Sequence, residues 1–165
     1  MSVNICTAFK VLYMCNLDLA IEANLKKLQQ QLAALIQFYE QDLDYQQMVY
    51  EFWNAKDILG HLTFWHESFA RNIADLGEGR KPNPLKGKLS EVNKQSVETT
   101  ASSPIEALID RLKKAQTIIE QYIYNTAIGI IPYKKGSRGY SRQEHLEIVV
   151  AHIKRHLKDL NKRYS

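Results

Sequence analysis

Cysteine is almost missing from this 165-residue chain: Cys6 and Cys15 are the two present, and both fall in the first sixteen residues. A disulfide framework or a cysteine-based metal site therefore cannot hold the body of the protein together, and a reduced, cytoplasmic setting is the expectation. Turn formers are scarce as well. Seven glycines and four prolines fall well short of an average usage of roughly 12%, so the elements should be long and the turns few. No apolar run approaches the roughly 20 residues that span a bilayer. The opening segment, with Lys10 as its one early cation and no small-residue cleavage site, makes a poor signal peptide. A content of 45% hydrophobic and 24% charged residues excludes a disordered or low-complexity chain. The formal net charge of +4 suits an anionic partner without demanding one. Cations gather between Arg80 and Lys88 and from Lys154 onward, but Glu144, Glu147 and Asp159 interrupt the last of these runs, so neither nucleic acid nor a membrane is the expected partner.

What is there is helical periodicity. Residues 1–17 have little of it and read as an arm of unknown role, with one domain over residues 18–165. From Asp18 to Gln41, apolar residues recur at Ile21, Leu25, Leu28, Leu32, Leu35, Ile36 and Tyr39, one face of a long helix. A second helix is predicted from the Asn54 cap, with Asp57 in its first turn, a stripe of Ile58, Leu62, Trp65, Phe69, Ile73 and Leu76, and Gly77 as its C-cap. A surface connection over 77–90 and a short helical piece over 89–99 follow. Ser103-Pro104-Ile105-Glu106 then reads as a capping box with proline at the first helical position, opening a helix to about Tyr124. Four glycine or proline positions exclude helix from 125–140, although Ile128, Ile130 and Ile131 suggest that this loop covers something. Ser141-Arg142-Gln143-Glu144 is a second capping box, opening the last helix. Four long helices with two long connections predict an all-α, antiparallel four-helix bundle.

The chemistry lies in five histidines. His145, His152 and His156 fall within twelve residues of the last helix and project within about 40° of one another at roughly 100° per residue. His152 and His156 are one turn apart and can converge on one ion, whereas His145 is roughly 10 Å from His152 and is expected at the rim or in solvent. A catalytic zinc or similar site needs a third protein ligand. The second helix offers His61 and His66 on opposite flanks of its stripe, so one of them can face the last helix. His61 is the choice, with Asp57 one turn before it as a carboxylate for its second N–H. Spacing alone leaves open the alternative of two solvent-facing or singly hydrogen-bonded imidazoles. Trp53, Phe64, Trp65 and Phe69 at helical spacing read as core. Tyr133 and Tyr140, in a basic glycine-rich loop, line a pocket mouth on one reading and are solvated on the other.

The run Trp53-Asn-Ala-Lys56-Asp57-Ile-Leu-Gly-His61-Leu-Thr-Phe-Trp65 resembles the second-helix signature of the DinB-like four-helix bundles, in particular their ClbS/DfsB branch. Pro132-Tyr133 through Gly136, Tyr140-Ser141 and the terminal helix also resemble that branch, and the likeness runs from about Leu19 to Leu160. The superfamily resemblance implies a divalent metal held by one histidine of the second helix and an HxxxH pair of the last, places filled here by His61, His152 and His156, with zinc or nickel as the ion. Other superfamily members resemble thiol-dependent transferases. The branch resemblance implies a small-molecule protection protein, with a hydrolase as its best-known kind and no established metal site. Three functional expectations follow: a metal-dependent hydrolase or thiol-dependent detoxification enzyme; a metal-free binder or hydrolase whose pocket is lined by Asp57, Trp65, Tyr133 and Tyr140; and a helical interaction protein that forms a homodimer.

Overall fold

The structure, a computed structural model, describes the backbone of residues 5–165 and the side chains of residues 17–165. Five helices, α1 (Ile5–Tyr39), α2 (Ala55–Gly77), α3 (Leu89–Glu98), α4 (Ile105–Tyr122) and α5 (Arg142–Tyr164), accompany a two-strand hairpin, β1 (Ile130–Ile131) and β2 (Tyr140–Ser141). The long helices pack as α2 against α4 and α1 against α5, with α3 laid on α2. Their apolar stripes meet in one core that includes Ile21, Leu28, Leu35, Ile58, Phe69, Leu108, Leu112, Ile119, Leu146 and Leu160. This is the predicted all-α bundle. The side chains of residues 1–16 of the N-terminal arm lie outside the described residues, as do residues 1–4 altogether, while the backbone of α1 begins at Ile5. Among the described residues no helix is long and apolar enough to cross a membrane.

The helix ends show how far local signals carry. Asn54 and Asp57 form a reciprocal capping box, with Asn54 Oδ1 accepting from the Asp57 amide at 2.8 Å and Asp57 Oδ2 accepting from the Asn54 amide at 3.0 Å. Ser141 and Glu144 do the same at the start of α5. The third expected cap forms differently. Pro104 is itself the N-cap, extended at ψ 161°, and no side chain caps α4; the Ser103 hydroxyl accepts from Arg111 instead, at 3.4 Å. Gly77 is not the C-cap either. It is the last helical residue, Glu78 caps, and a side chain at Gly77 would run into the Tyr122 ring of α4.

Two features position the site. The connections 78–88 and 123–139 clasp one another, with the Lys135 amide donating to Leu85 O at 2.7 Å and Lys134 Nζ donating to Gly87 O at 2.9 Å. The clasp and the hairpin lay Tyr133 on Trp65 of α2 and set both Tyr133 and Tyr140 beside His145 near the start of α5, and Ile131 is fully buried. The hairpin was not predicted, because its strands are two residues each and eight residues separate them. The second feature is Gly60, where a methyl group would overlap the side chain of Thr100 just beyond α3. Thr100 cannot retreat: it is buried and its hydroxyl donates to Ser96 O at 2.8 Å. Glycine here lets α3 approach α2. Alanine would gain up to about 1 kcal/mol of helix propensity against an overpacking cost of about 1–3 kcal/mol. Gly60→Ala is therefore expected to lower stability by up to about 2 kcal/mol in urea unfolding, and a raised midpoint would contradict this account of the α2–α3 contact.

Candidate metal centre

His61 comes from the middle of α2, and His152 and His156 come from successive turns of α5. The three rings meet. His61 Nε2 and His156 Nε2 lie 3.0 and 3.1 Å from His152 Nε2, and one ligand atom from each residue falls within 4.8 Å of the others. His61 and His156 are buried and His152 nearly so. Trp53 lies against the His61 ring at 4.6 Å between centroids, closing one side. Burial lowers the pKa of His61 to about 2, of His152 to about 3 and of His156 to about 4; Arg155 adds to the effect at all three, and repulsion from neighbouring histidines adds to it at His61 and His152. At neutral pH all three imidazoles are uncharged and can act as ligands.

The proton positions follow from the neighbours. Ser96 Oγ donates its single hydrogen to Asn93 O at 2.6 Å, so in its 2.9 Å contact with His61 Nδ1 the ring must be the donor. Tyr50 Oη donates to Asp159 Oδ2 at 2.6 Å, so its 2.9 Å contact with His156 Nδ1 is likewise donated by the ring. Burial and the Asp159 carboxylate push the Tyr50 pKa up, which keeps the phenol protonated. A neutral imidazole carries one N–H. The inward nitrogens of His61 and His156 are therefore bare lone pairs, both aimed at His152 Nε2. One proton on that atom can satisfy one of them well, and the other faces a third nitrogen with nothing between. A cation resolves the conflict, because it accepts all three lone pairs at once. The residues present thus fit a divalent metal, with imidazole donors suited to zinc or nickel.

These outer contacts were not foreseen. Ser96 and Tyr50 carry no sequence signal toward the histidines, whereas Asp159, three residues after His156 on α5, could have been paired with it by helical spacing. Asp57, expected to accept from His61 and to line the pocket, does neither: its carboxylate is held in the Asn54 capping box, and Ser96 takes the second ring nitrogen. His145, expected at the rim, is 2% exposed and stacks on Phe69 at 3.9 Å and 7°, because the hairpin covers that stretch of α5. His66 turns the other way and reaches Gln116 of α4 at 2.9 Å. Trp65 and Tyr133 stack at 4.9 Å, and Tyr140 meets Tyr133 edge to face.

Outside the triad lies an open pocket of about 430 Å³ lined by His61, Trp65, Leu89, Asn93, Tyr133, Ile148, Ala151, His152 and Arg155. Arg155 is exposed and makes no ion pair among the described residues.

No protein-family model matches the chain, and no curated protein sequence matches it. Two crystal structures of a mycothiol-dependent maleylpyruvate isomerase, one of a histidine-to-alanine mutant, superpose on it with a TM-score of 0.68 at 14% and 13% identity. Each covers 85% of this chain, which spans 60% of theirs. The helical fold is therefore shared with that isomerase. The likeness concerns the fold; the histidine geometry above stands on this chain's own residues.

An outer partner that fixes a ligating ring typically changes metal affinity by 10–100-fold. Tyr50→Phe removes the acceptor for His156 Nδ1–H and is expected to weaken zinc binding by about 10–100-fold in competition with a chelating dye. Affinity equal to the parent would show that the Asp159–Tyr50–His156 chain does not orient the ring.

Proposed function

We propose that this chain is a divalent-metal-dependent enzyme that brings a thiol co-substrate to a small molecule in the pocket beside the histidines. The observation that carries the reading is the meeting of two bare imidazole nitrogens on a third at 3.0 and 3.1 Å, an arrangement that only a shared cation satisfies fully. His61, His152 and His156 would hold the ion, zinc or nickel. When bound, such an ion supplies Lewis acidity and eases ionisation of a nearby thiol or water. Ser96 and Tyr50 hold two of the rings in their tautomers. Trp53, Trp65 and Tyr133 exclude water from one side of the site, which strengthens electrostatic interactions within it. Arg155 presents to the same pocket a guanidinium with no ion pair among the described residues and would orient an anionic group of the substrate. The thiol is favoured over water by the fold shared with a mycothiol-dependent enzyme.

Calorimetric titration of the zinc-loaded and zinc-free protein with glutathione, cysteine and mycothiol tests this. Binding of at least one thiol that requires zinc is the expected result. Failure to retain stoichiometric metal after tag-free purification, or indifference of every thiol to zinc, would overturn it. A second reading, the protection-protein role that the ClbS/DfsB resemblance implies, draws support from the stacked Trp65 and Tyr133 over the pocket; activity that survives chelation would favour it.

A further inference from the structure

Among the described residues, three buried side-chain atoms have no hydrogen-bond partner: His66 Nδ1, Asn72 Oδ1 and His145 Nδ1. All three residues, 1–2% exposed, line the same inner cavity of about 40 Å³. Trp65, Tyr133 and His152 belong to the walls of both this cavity and the outer pocket, so the two adjoin. Polar atoms buried without partners are rare and call for an occupant.

Gln116 Nε2 donates to Glu120 at 2.8 Å, which leaves Gln116 Oε1 to accept from His66 Nε2–H at 2.9 Å; His66 Nδ1 is therefore a bare acceptor. Asn72 Nδ2 donates to Pro132 O at 3.1 Å, so Asn72 Oδ1 is an acceptor too. Ser68, in the same wall, accepts weakly from Arg71 and keeps its own hydroxyl hydrogen to give. Burial keeps His66 and His145 far below the ordinary histidine range, so both are neutral at pH 7. No acidic residue lines the cavity, and a cation there would be buried without a counter-charge.

We infer that this cavity is a recognition subsite for a small, neutral group with two N–H donors and one acceptor, such as the primary amide end of a substrate whose body occupies the outer pocket. His66 Nδ1 and Asn72 Oδ1 supply two acceptors for the two N–H bonds, and the Ser68 hydroxyl supplies a donor for the carbonyl. The inference rests on the outer pocket as the substrate site, but the subsite itself does not depend on a metal.

Titration of the zinc-free and zinc-loaded protein with formamide, methylammonium and N,N-dimethylformamide, followed by the ¹⁵N resonances of the histidine rings, tests it. Formamide is expected to move His66 Nδ1 and to bind at least about 10-fold more tightly than dimethylformamide in both forms of the protein, and Asn72→Leu to erase that preference. Because the parent alone compares donor with non-donor, a poorly folded variant would not blunt the test. Equal binding of dimethylformamide, preference for methylammonium, or an immobile water that formamide does not displace would each overturn the inference. Formamide binding in a protein that fails to take up zinc would sink the metal reading and leave the subsite standing.

Discussion

Replacing His152 with alanine is expected to abolish stoichiometric zinc or nickel binding while leaving the apo protein folded. The ring supplies the central nitrogen, the one atom within 3.1 Å of both other ligands. Losing an outer partner of a ligand costs 10–100-fold in affinity, so losing the ligand itself should cost more than about 100-fold. The apo protein should tolerate the change, because His152 faces the pocket and its neighbours already hold their own protons on Ser96 and Tyr50. In the metal-free state the substitution removes one facing of lone pairs and one ring-to-ring hydrogen bond together. Elemental analysis of parent and variant, with melting curves taken before and after zinc is added, separates the outcomes. The parent should melt higher with zinc by linkage and the variant should not respond. A variant that binds zinc as tightly as the parent would mean that the three rings do not form one site. His61→Ala should behave alike, but with an added loss of stability, because it leaves the Ser96 hydroxyl without its donor inside the α2–α3 contact.

How much of this could be read beforehand differs by residue. The bundle was legible because apolar positions recur every three to four residues over long stretches, and because Asn54–Asp57 and Ser141–Glu144 carry complete capping boxes. The triad was partly legible: an i,i+4 pair lies on one helix face by geometry alone, and the choice between His61 and His66 reduces to which flank faces α5. The rest depends on contacts between segments distant in sequence. His145 looked solvent-facing because helical projection describes one helix and not the hairpin that folds over it. Ser96 and Tyr50 reach the rings from a short helix and an irregular loop, where side-chain direction has no period to read. Ser103 failed as a cap because the capping pattern was complete in letters, yet Pro104 took the cap position and the hydroxyl turned to Arg111.

Acidification should begin to withdraw stability from this protein below about pH 6.5, before its carboxylates start to titrate. Every histidine is held below its ordinary pKa, and two of them lie outside the triad: His66 at about 4 and His145 at about 3, each chiefly through burial. In the unfolded chain the same groups titrate near 6.5. For a group depressed in this way the unfolded state binds its proton first, so the stability it supports is intact above about pH 6.5 and falls as pH drops toward the folded value. At roughly 1.4 kcal/mol per unit of pKa difference, His66 and His145 together withdraw several kcal/mol by pH 4, a large part of a typical total of 5–15 kcal/mol. Urea unfolding at pH 8, 6, 5 and 4 should show a flat free energy above pH 7 and a steep decline below 6.5. His145→Phe keeps an aromatic ring on Phe69 but removes one titrating group, so its decline should be shallower than that of the parent. Parallel curves would show that His145 is not held neutral by the fold. Zinc should raise the parent's stability across this range by linkage and lose that effect only as protons reach the folded ligands near pH 4, whereas the His152→Ala curve should be indifferent to zinc throughout.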